Sequence, residues 1–216
     1  MKTALLSALY LDRPGDMQRT TKWLEFHKPL FPNVDIWFVD NASECGMVSY
    51  IEQAHKVNVI RFAQHLPKGE GFLDYPYCWR ALWFVRYLVE NGYEKIINLD
   101  TDCYIASKRL LDHIHAGTQG WEAFWIPKYR FPSSECHIIN PHGIQDFMHY
   151  TNESWKSKVG QLMEDALPFT YVNRWFKIDR FGEDKTPQTP DMDGYFQAKP
   201  DQDILFDMEG LAAKRR

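Results

Sequence analysis

Cysteine is scarce and scattered in this chain. Its 216 residues hold four, Cys45, Cys78, Cys103 and Cys136, with no CxxC pair among them. A secreted disulfide framework uses denser cysteines, and a structural zinc site needs ligands in close pairs, so neither is expected. A reducing, cytoplasmic location is the expectation instead. Long apolar runs are also missing: no stretch approaches the ~18 residues that would cross a bilayer, so no transmembrane segment is expected. The stretch from Thr3 to Leu11 is too short, with one preceding Lys and with Asp12-Arg13 directly after it, to be read as a signal peptide. An excess of positive charge is absent as well. Lys and Arg number 25 against 29 Asp and Glu, a formal charge of −4. Such a balance argues against a nucleic-acid partner. There is no internal repeat, low-complexity tract or linker, so residues 1–216 are read as a single domain.

Aromatic residues, by contrast, are plentiful. Eight Trp, 11 Tyr and 14 Phe make up 15% of the chain. Most belong in a core, but rings also stack on flat or ring-shaped ligands.

The first hundred residues alternate between two periodicities. Apolar runs at Thr3 to Tyr10, Val34 to Val39, Asn58 to Ala63 and Lys95 to Leu99 predict strands. Between them, Met17 to Leu30, Cys45 to His55 and Asp74 to Glu90 predict helices, the last ended by Asn91-Gly92 in a left-handed turn. This alternation implies βαβ units and a mainly parallel sheet flanked by helices. Further on, Trp121 to Ile126 and Cys136 to Asn140 predict strands, and a helix is expected from Pro141-His142-Gly143 to about Val159. An apolar segment from Ala166 to Phe176 follows. From Arg180 to Asp203 the abundance of Pro, Asp and Gly predicts loop.

Ligands of parallel α/β sheets bind outside the carboxyl ends of the strands. Asp12, Asp40-Asn41 and Asp100-Thr101-Asp102 all fall just past strand ends and so define a candidate site. The last of these, within Asn98-Leu99-Asp100-Thr101-Asp102-Cys103-Tyr104-Ile105, carries the most information. Two carboxylates two residues apart, on a turn leaving a buried strand, can face one ligand. Hard divalent cations, Mg²⁺ or Mn²⁺, take carboxylate oxygens and keep other positions for water and phosphate. A cation held this way stabilises a departing diphosphate.

On these residues the chain resembles a nucleotide-sugar glycosyltransferase of the GT-A fold. The resemblance covers the first ~105 residues: the strand ending SALY, the strand ending VDNAS, the helix YPYCWRALWF and then NLDTDCYI. It implies a Rossmann-like GT-A sheet whose 1–105 half binds the nucleotide sugar and whose 106–216 half binds the acceptor. It implies that Tyr10, Asp40, Asn41, Arg80 and Asp100 line the nucleotide site, with Asp40 near the base or ribose. Asp102 becomes a direct metal ligand, and Asp100 a second ligand or a neighbour of the ribose. It implies Mn²⁺ or Mg²⁺ as cofactor, a UDP-sugar as donor, and a glycan or other hydroxyl-bearing acceptor as partner. HIINP, His137 to Pro141, resembles the strand beneath the donor sugar. Glu164-Asp165 resembles an acidic pair of inverting members, in which Asp165 is the general base that deprotonates the acceptor. Glu183, Asp184, Asp191 and Asp193 are rival carboxylates.

One departure stands out. Many GT-A enzymes add a metal-binding His near the C-terminus, and here the last His is His149. Asp191, Asp193 or water would have to complete the shell. Three other readings compete. A HAD-type phosphatase also places Asp-x-Asp at a strand end, but near its N-terminus and with a later GDxxxD, which this chain lacks. A nucleotidyltransferase shows a Gly-rich basic loop after the first strand, and Leu11 to Asp16 is not one. A non-catalytic carbohydrate-binding domain accounts for the aromatics but not for the acidic strand ends.

Overall fold

The computed structural model describes residues 1–65, 75–105, 107–117, 120–126, 131–145 and 148, and five later strand segments. The elements in order are β1 (Thr3–Leu9), α1 (Pro14–Leu30), β2 (Asp35–Asp40), α2 (Cys45–His55), β3 (Asn58–Arg61), α3 (Tyr75–Glu90), β4 (Lys95–Leu99) and β5 (Cys103–Ile105). Then come α4 (Lys108–Ala116), β6 (Trp121–Ile126), β7 (Phe131–Ile139), a single 3-10 turn at Pro141–Gly143, β8 (Phe169–Tyr171), β9 (Ile178–Arg180), β10 (Tyr195–Gln197), β11 (Ile204–Asp207) and β12 (Ala212–Arg215).

The main sheet runs β3-β2-β1-β4-β7-β6-β8. Its first four strands are mutually parallel, as the alternating pattern predicts. β7 enters antiparallel to both β4 and β6, so the sheet is mixed on that side. β1 sits at the centre of the parallel part. Its residues are almost continuously buried, as expected for a strand covered on both faces.

The pleat sends alternate residues of β1 to opposite faces. Leu5 and Leu9 join Trp23, Leu24 and Phe26 of α1, Val48 and Ile51 of α2, and Leu110 and Ile114 of α4. Ala4 and Leu6 join Phe84, Val85 and Leu88 of α3 on the other face. Trp37 faces Phe84 at 5.5 Å between ring centroids, and its indole N–H donates to the Tyr93 hydroxyl at 2.9 Å. Most described first-half aromatics therefore pack helices onto the sheet, although Trp83 stays 48% exposed.

The helix ends follow local chemistry. α1 starts at Pro14, three residues before its apolar periodicity begins, because a proline without N–H suits the first turn. Gly92, at φ 81°, ends α3 in the left-handed turn the sequence predicts. Ser107 caps α4, its side chain accepting from the Leu110 N–H at 3.2 Å. At the other end of α4, the buried Lys95 ammonium donates to the carbonyls of Ile114 and His115. Burial pushes its pKa down to about 8. Beside it, His113 Nε2 lies 2.7 Å from Glu122.

Two expectations change. The stretch read as loop from Arg180 to Asp203 contains β10, which pairs antiparallel with β5 and parallel with β9. Three residues, Tyr195-Phe196-Gln197, are too few to outweigh the Pro, Asp and Gly around them in a sequence window. Cys103–Ile105, read only as part of a turn, is itself a strand. The helix expected from Pro141 begins as the 3-10 turn, and its course past Met148 lies outside the described residues, as does the apolar segment apart from β8.

Candidate functional site

The carboxyl ends of β1, β2, β3 and β4 form one edge, and the loops leaving the first three are stitched to one another. The Asn41 N–H donates to the Leu9 carbonyl at 2.8 Å, the Glu44 N–H to the Leu11 carbonyl at 3.0 Å, and the Phe62 N–H to the Asp40 carbonyl at 3.1 Å. Two side chains complete the seam. The Leu11 N–H donates to Ser43 Oγ at 2.7 Å, and the Ser43 N–H to Asp40 Oδ1 at 3.1 Å. Between Asn41 and Ser43, Ala42 sits at φ 61°. A non-glycine residue there costs about 1 kcal/mol or more, and the surrounding hydrogen bonds hold it.

This arrangement gives the predicted residues distinct positions. Asp40 is buried, with one carboxylate oxygen engaged by the turn. Asn41 is buried as well. Tyr10, the first residue past β1, is 41% exposed, and its ring packs on His65 with centroids 4.3 Å apart. His65 Nδ1 lies 3.2 Å from the Asn41 carbonyl oxygen and 3.3 Å from its side-chain amide. Tyr10, Asn41 and His65 thus make one cluster at the exits of β1, β2 and β3. His65 carried no signal in the sequence, since a lone exposed histidine after a short strand looks like any surface residue.

β4 lies on the other side of β1, so its exit is about 10 Å from that of β2 at ordinary strand spacing. Asp100, Thr101 and Asp102 follow it and are all partly exposed. The Cys103 N–H donates to the Asp100 carbonyl at 2.9 Å, closing the turn that lifts both carboxylates out of the sheet. The Cys103 thiol donates to Asp102 Oδ1 at 3.5 Å. β5 then dives back into the core, with Cys103, Tyr104 and Ile105 fully buried. Burial, with the nearby Asp102 charge, pushes the Tyr104 phenol well above its ordinary range. Among the described residues no three His, Cys, Asp or Glu side chains gather as a metal site. Asp100 and Asp102 could offer two hard oxygen donors, the kind that Mg²⁺ or Mn²⁺ takes, but not a full shell.

The other predicted residues are described only in part or not at all. Arg80 lies in the first half of α3, which runs back from the same edge, and its side chain is outside the described part. Asp165 and its rivals Glu183, Asp184, Asp191 and Asp193 all lie outside the described residues. Of HIINP, His137 to Ile139 fall in β7, beside β4. His137 opposes Asn98, one step below the end of β4, but the antiparallel run carries Ile138 and Ile139 away from the site. His137 Nδ1 accepts from the Trp121 indole at 3.3 Å, and burial lowers its pKa to about 4, so the ring stays neutral.

No protein-family model matches the sequence, and no curated protein matches it. Solved structures do share its architecture. A glycosyltransferase involved in the glycosylation of the major capsid of PBCV-1 superimposes with a TM-score of 0.51 at 10% identity, over 91% of this chain and 92% of its own. The galactosyltransferase LgtC, in complex with donor and acceptor sugar analogues, gives a TM-score of 0.54 at 11% identity, over 90% of this chain and 86% of its own. An active-site mutant of LgtC gives 0.51 at 12% identity, with the same coverage of 90% and 86%. The likeness extends well past the parallel strands, and the chain has the GT-A fold found in glycosyltransferases.

Proposed function

We propose that this protein is a metal-dependent glycosyltransferase that moves a sugar from a nucleotide diphosphate, a UDP-sugar, to a hydroxyl of a glycan or other acceptor. One observation carries this reading. Two partly exposed carboxylates, Asp100 and Asp102, leave an inner strand at the same sheet edge as the Tyr10–Asn41–His65 cluster. The GT-A fold supports it, with residues 1–105 taking the donor and 106–216 the acceptor.

In this reading the exposed Tyr10 ring packs against the nucleobase, and Asn41 hydrogen-bonds the nucleotide beside it. Buried Asp40 keeps the loop that carries Asn41 in shape. Arg80, from α3, pairs with the phosphates, for which its planar fork is suited. Asp102, with Asp100, would hold Mn²⁺ or Mg²⁺, which when bound offsets the charge of the departing diphosphate. Asp165 is proposed as the general base. It accepts the proton of the acceptor hydroxyl as that oxygen bonds to the anomeric carbon and the bond from that carbon to the diphosphate breaks. In an inverting transfer that base stands on the face of the carbon opposite the diphosphate, away from the metal-holding Asp100 and Asp102.

A cytoplasmic location is proposed with this function. Cys45, Cys103 and Cys136 are free thiols, and among the described residues no helix is long and apolar enough to cross a membrane.

Titration calorimetry with UDP, with and without Mn²⁺, tests the reading. Binding is expected to need the metal, and Asp102→Asn is expected to abolish that dependence. UDP binding that is absent, or equally strong without metal, sinks the proposal. A screen of nucleotide sugars scored by UDP release then identifies the donor.

A further inference from the structure

We infer that Trp23 is a positioning residue for the Asp100–Asp102 turn, an inference that rests on the metal-site reading above. Trp23 belongs to α1, 80 residues before the turn in sequence, and its side chain is fully buried. Its indole N–H donates to the Cys103 carbonyl at 3.0 Å. Cys103 is thereby held at both ends. Its own N–H closes the turn onto the Asp100 carbonyl at 2.9 Å, and its carbonyl is fixed by the indole. Asp102 shares the first of these peptides, inside the turn it closes, and the second fixes the residue that directly follows it.

The neighbouring residues of α1 reinforce this anchor by packing on Tyr104. Phe26 meets the Tyr104 ring edge-on at 5.4 Å, and His27 stacks on it at 5.6 Å. His27 Nδ1–H donates to the Trp23 carbonyl at 2.9 Å. Trp23, Phe26 and His27 occupy one face of α1, at positions i, i+3 and i+4. That face grips β5, and β5 is the edge strand of its own three-stranded sheet, paired there only with β10 among the described strands. The consequence is specific to one atom. An aromatic ring at position 23 suffices to fill the core, but only an N–H donor there pins the Cys103 peptide and so the Asp102 carboxylate.

Two replacements remove the donor. Trp23→Phe deletes it with part of the ring, and 3-benzothienylalanine at position 23 swaps the N–H for sulfur at nearly the same size. A control, Phe26→Leu, loosens the packing on Tyr104 and leaves the indole bond in place. The apparent affinity for Mn²⁺ in the presence of saturating UDP is expected to fall roughly three- to tenfold in both Trp23 variants, the worth of one hydrogen bond. In Phe26→Leu it is expected to stay within about twofold of wild type, although its melting temperature drops. Hydrogen exchange of the Cys103 amide, measured in metal-free protein, is expected to speed up in the Trp23 variants and not in the control. Unchanged exchange in the benzothienyl variant, or equal effects in Phe26→Leu, overturns the inference. A wild type that shows no metal-dependent UDP binding refutes the glycosyltransferase reading instead, and the exchange rates then decide the role of Trp23 alone.

Discussion

Replacing Ser43 by Ala probes the seam that shapes the site. The Ser43 hydroxyl accepts from the Leu11 N–H at 2.7 Å, and Leu11 is only 1% exposed. Removing the oxygen leaves that buried amide without its acceptor. Such a group costs ~1–3 kcal/mol, and a chain of this size loses about 2–4 °C of melting temperature per kcal/mol, so a central value of ~2 kcal/mol gives roughly 4–8 °C. The effect is not confined to stability. The hydroxyl joins the loop carrying Tyr10 to the loop carrying Asn41, so affinity for UDP is expected to fall several-fold as well. Differential scanning calorimetry at pH 7 and UDP titration measure the two effects. Ser49→Ala is the comparison, because Ser49 accepts from Arg61 at the surface and should change little. A Ser43→Ala protein that melts within a degree of wild type would refute the reasoning, because the buried amide would then have another acceptor.

Two further outcomes follow from the same geometry. Tyr10→Ala should weaken UDP binding about tenfold, within the ~1–3 kcal/mol range of a base stacked on an aromatic ring, and should hardly change the melting temperature. Equal affinity would move the nucleobase elsewhere. His27 is fully buried, and desolvation lowers its pKa from 6.5 to about 3. The unfolded chain therefore takes up a proton below pH 6.5 that the folded chain refuses, and stability falls as pH drops from 6.5 towards 3. At pH 5 this one residue accounts for ~2 kcal/mol. Urea unfolding of His27→Leu should lose that much less between pH 7 and pH 5 than wild type, with His137 leaving a residual slope in both. Identical slopes would mean that His27 is not buried neutral.

Much of the fold was legible in the sequence, because its first half obeys local rules. The spans of α2, β4 and β6 agree with the apolar patterns residue for residue, and Gly92 ends α3 where the Asn-Gly pair predicts. Parallel strands buried on both faces write themselves as apolar runs, and amphipathic helices as a 3.6-residue period. Where elements are three residues long, as in β5 and β10, no period exists to read. The chain from Tyr195 to Gln197 becomes a strand because β5 and β9 flank it on either side.

The candidate site divides in the same way. The sequence by itself determined that acidic and polar residues follow strands at positions 10, 40–41 and 100–102, and parallel topology alone brings those positions to one edge. Tertiary structure decided what each group does there. It buries Asp40 in a turn and leaves Tyr10 and the carboxylates of Asp100 and Asp102 partly exposed. It also recruits residues with no signal of their own: His65 beneath Tyr10, Ser43 across two loops, and Trp23 from 80 residues away. Local patterns record which face of an element is buried, because that depends on neighbours three or four residues apart. They carry no record of which distant peptide a side chain will meet, because that partner exists only once the sheet is assembled.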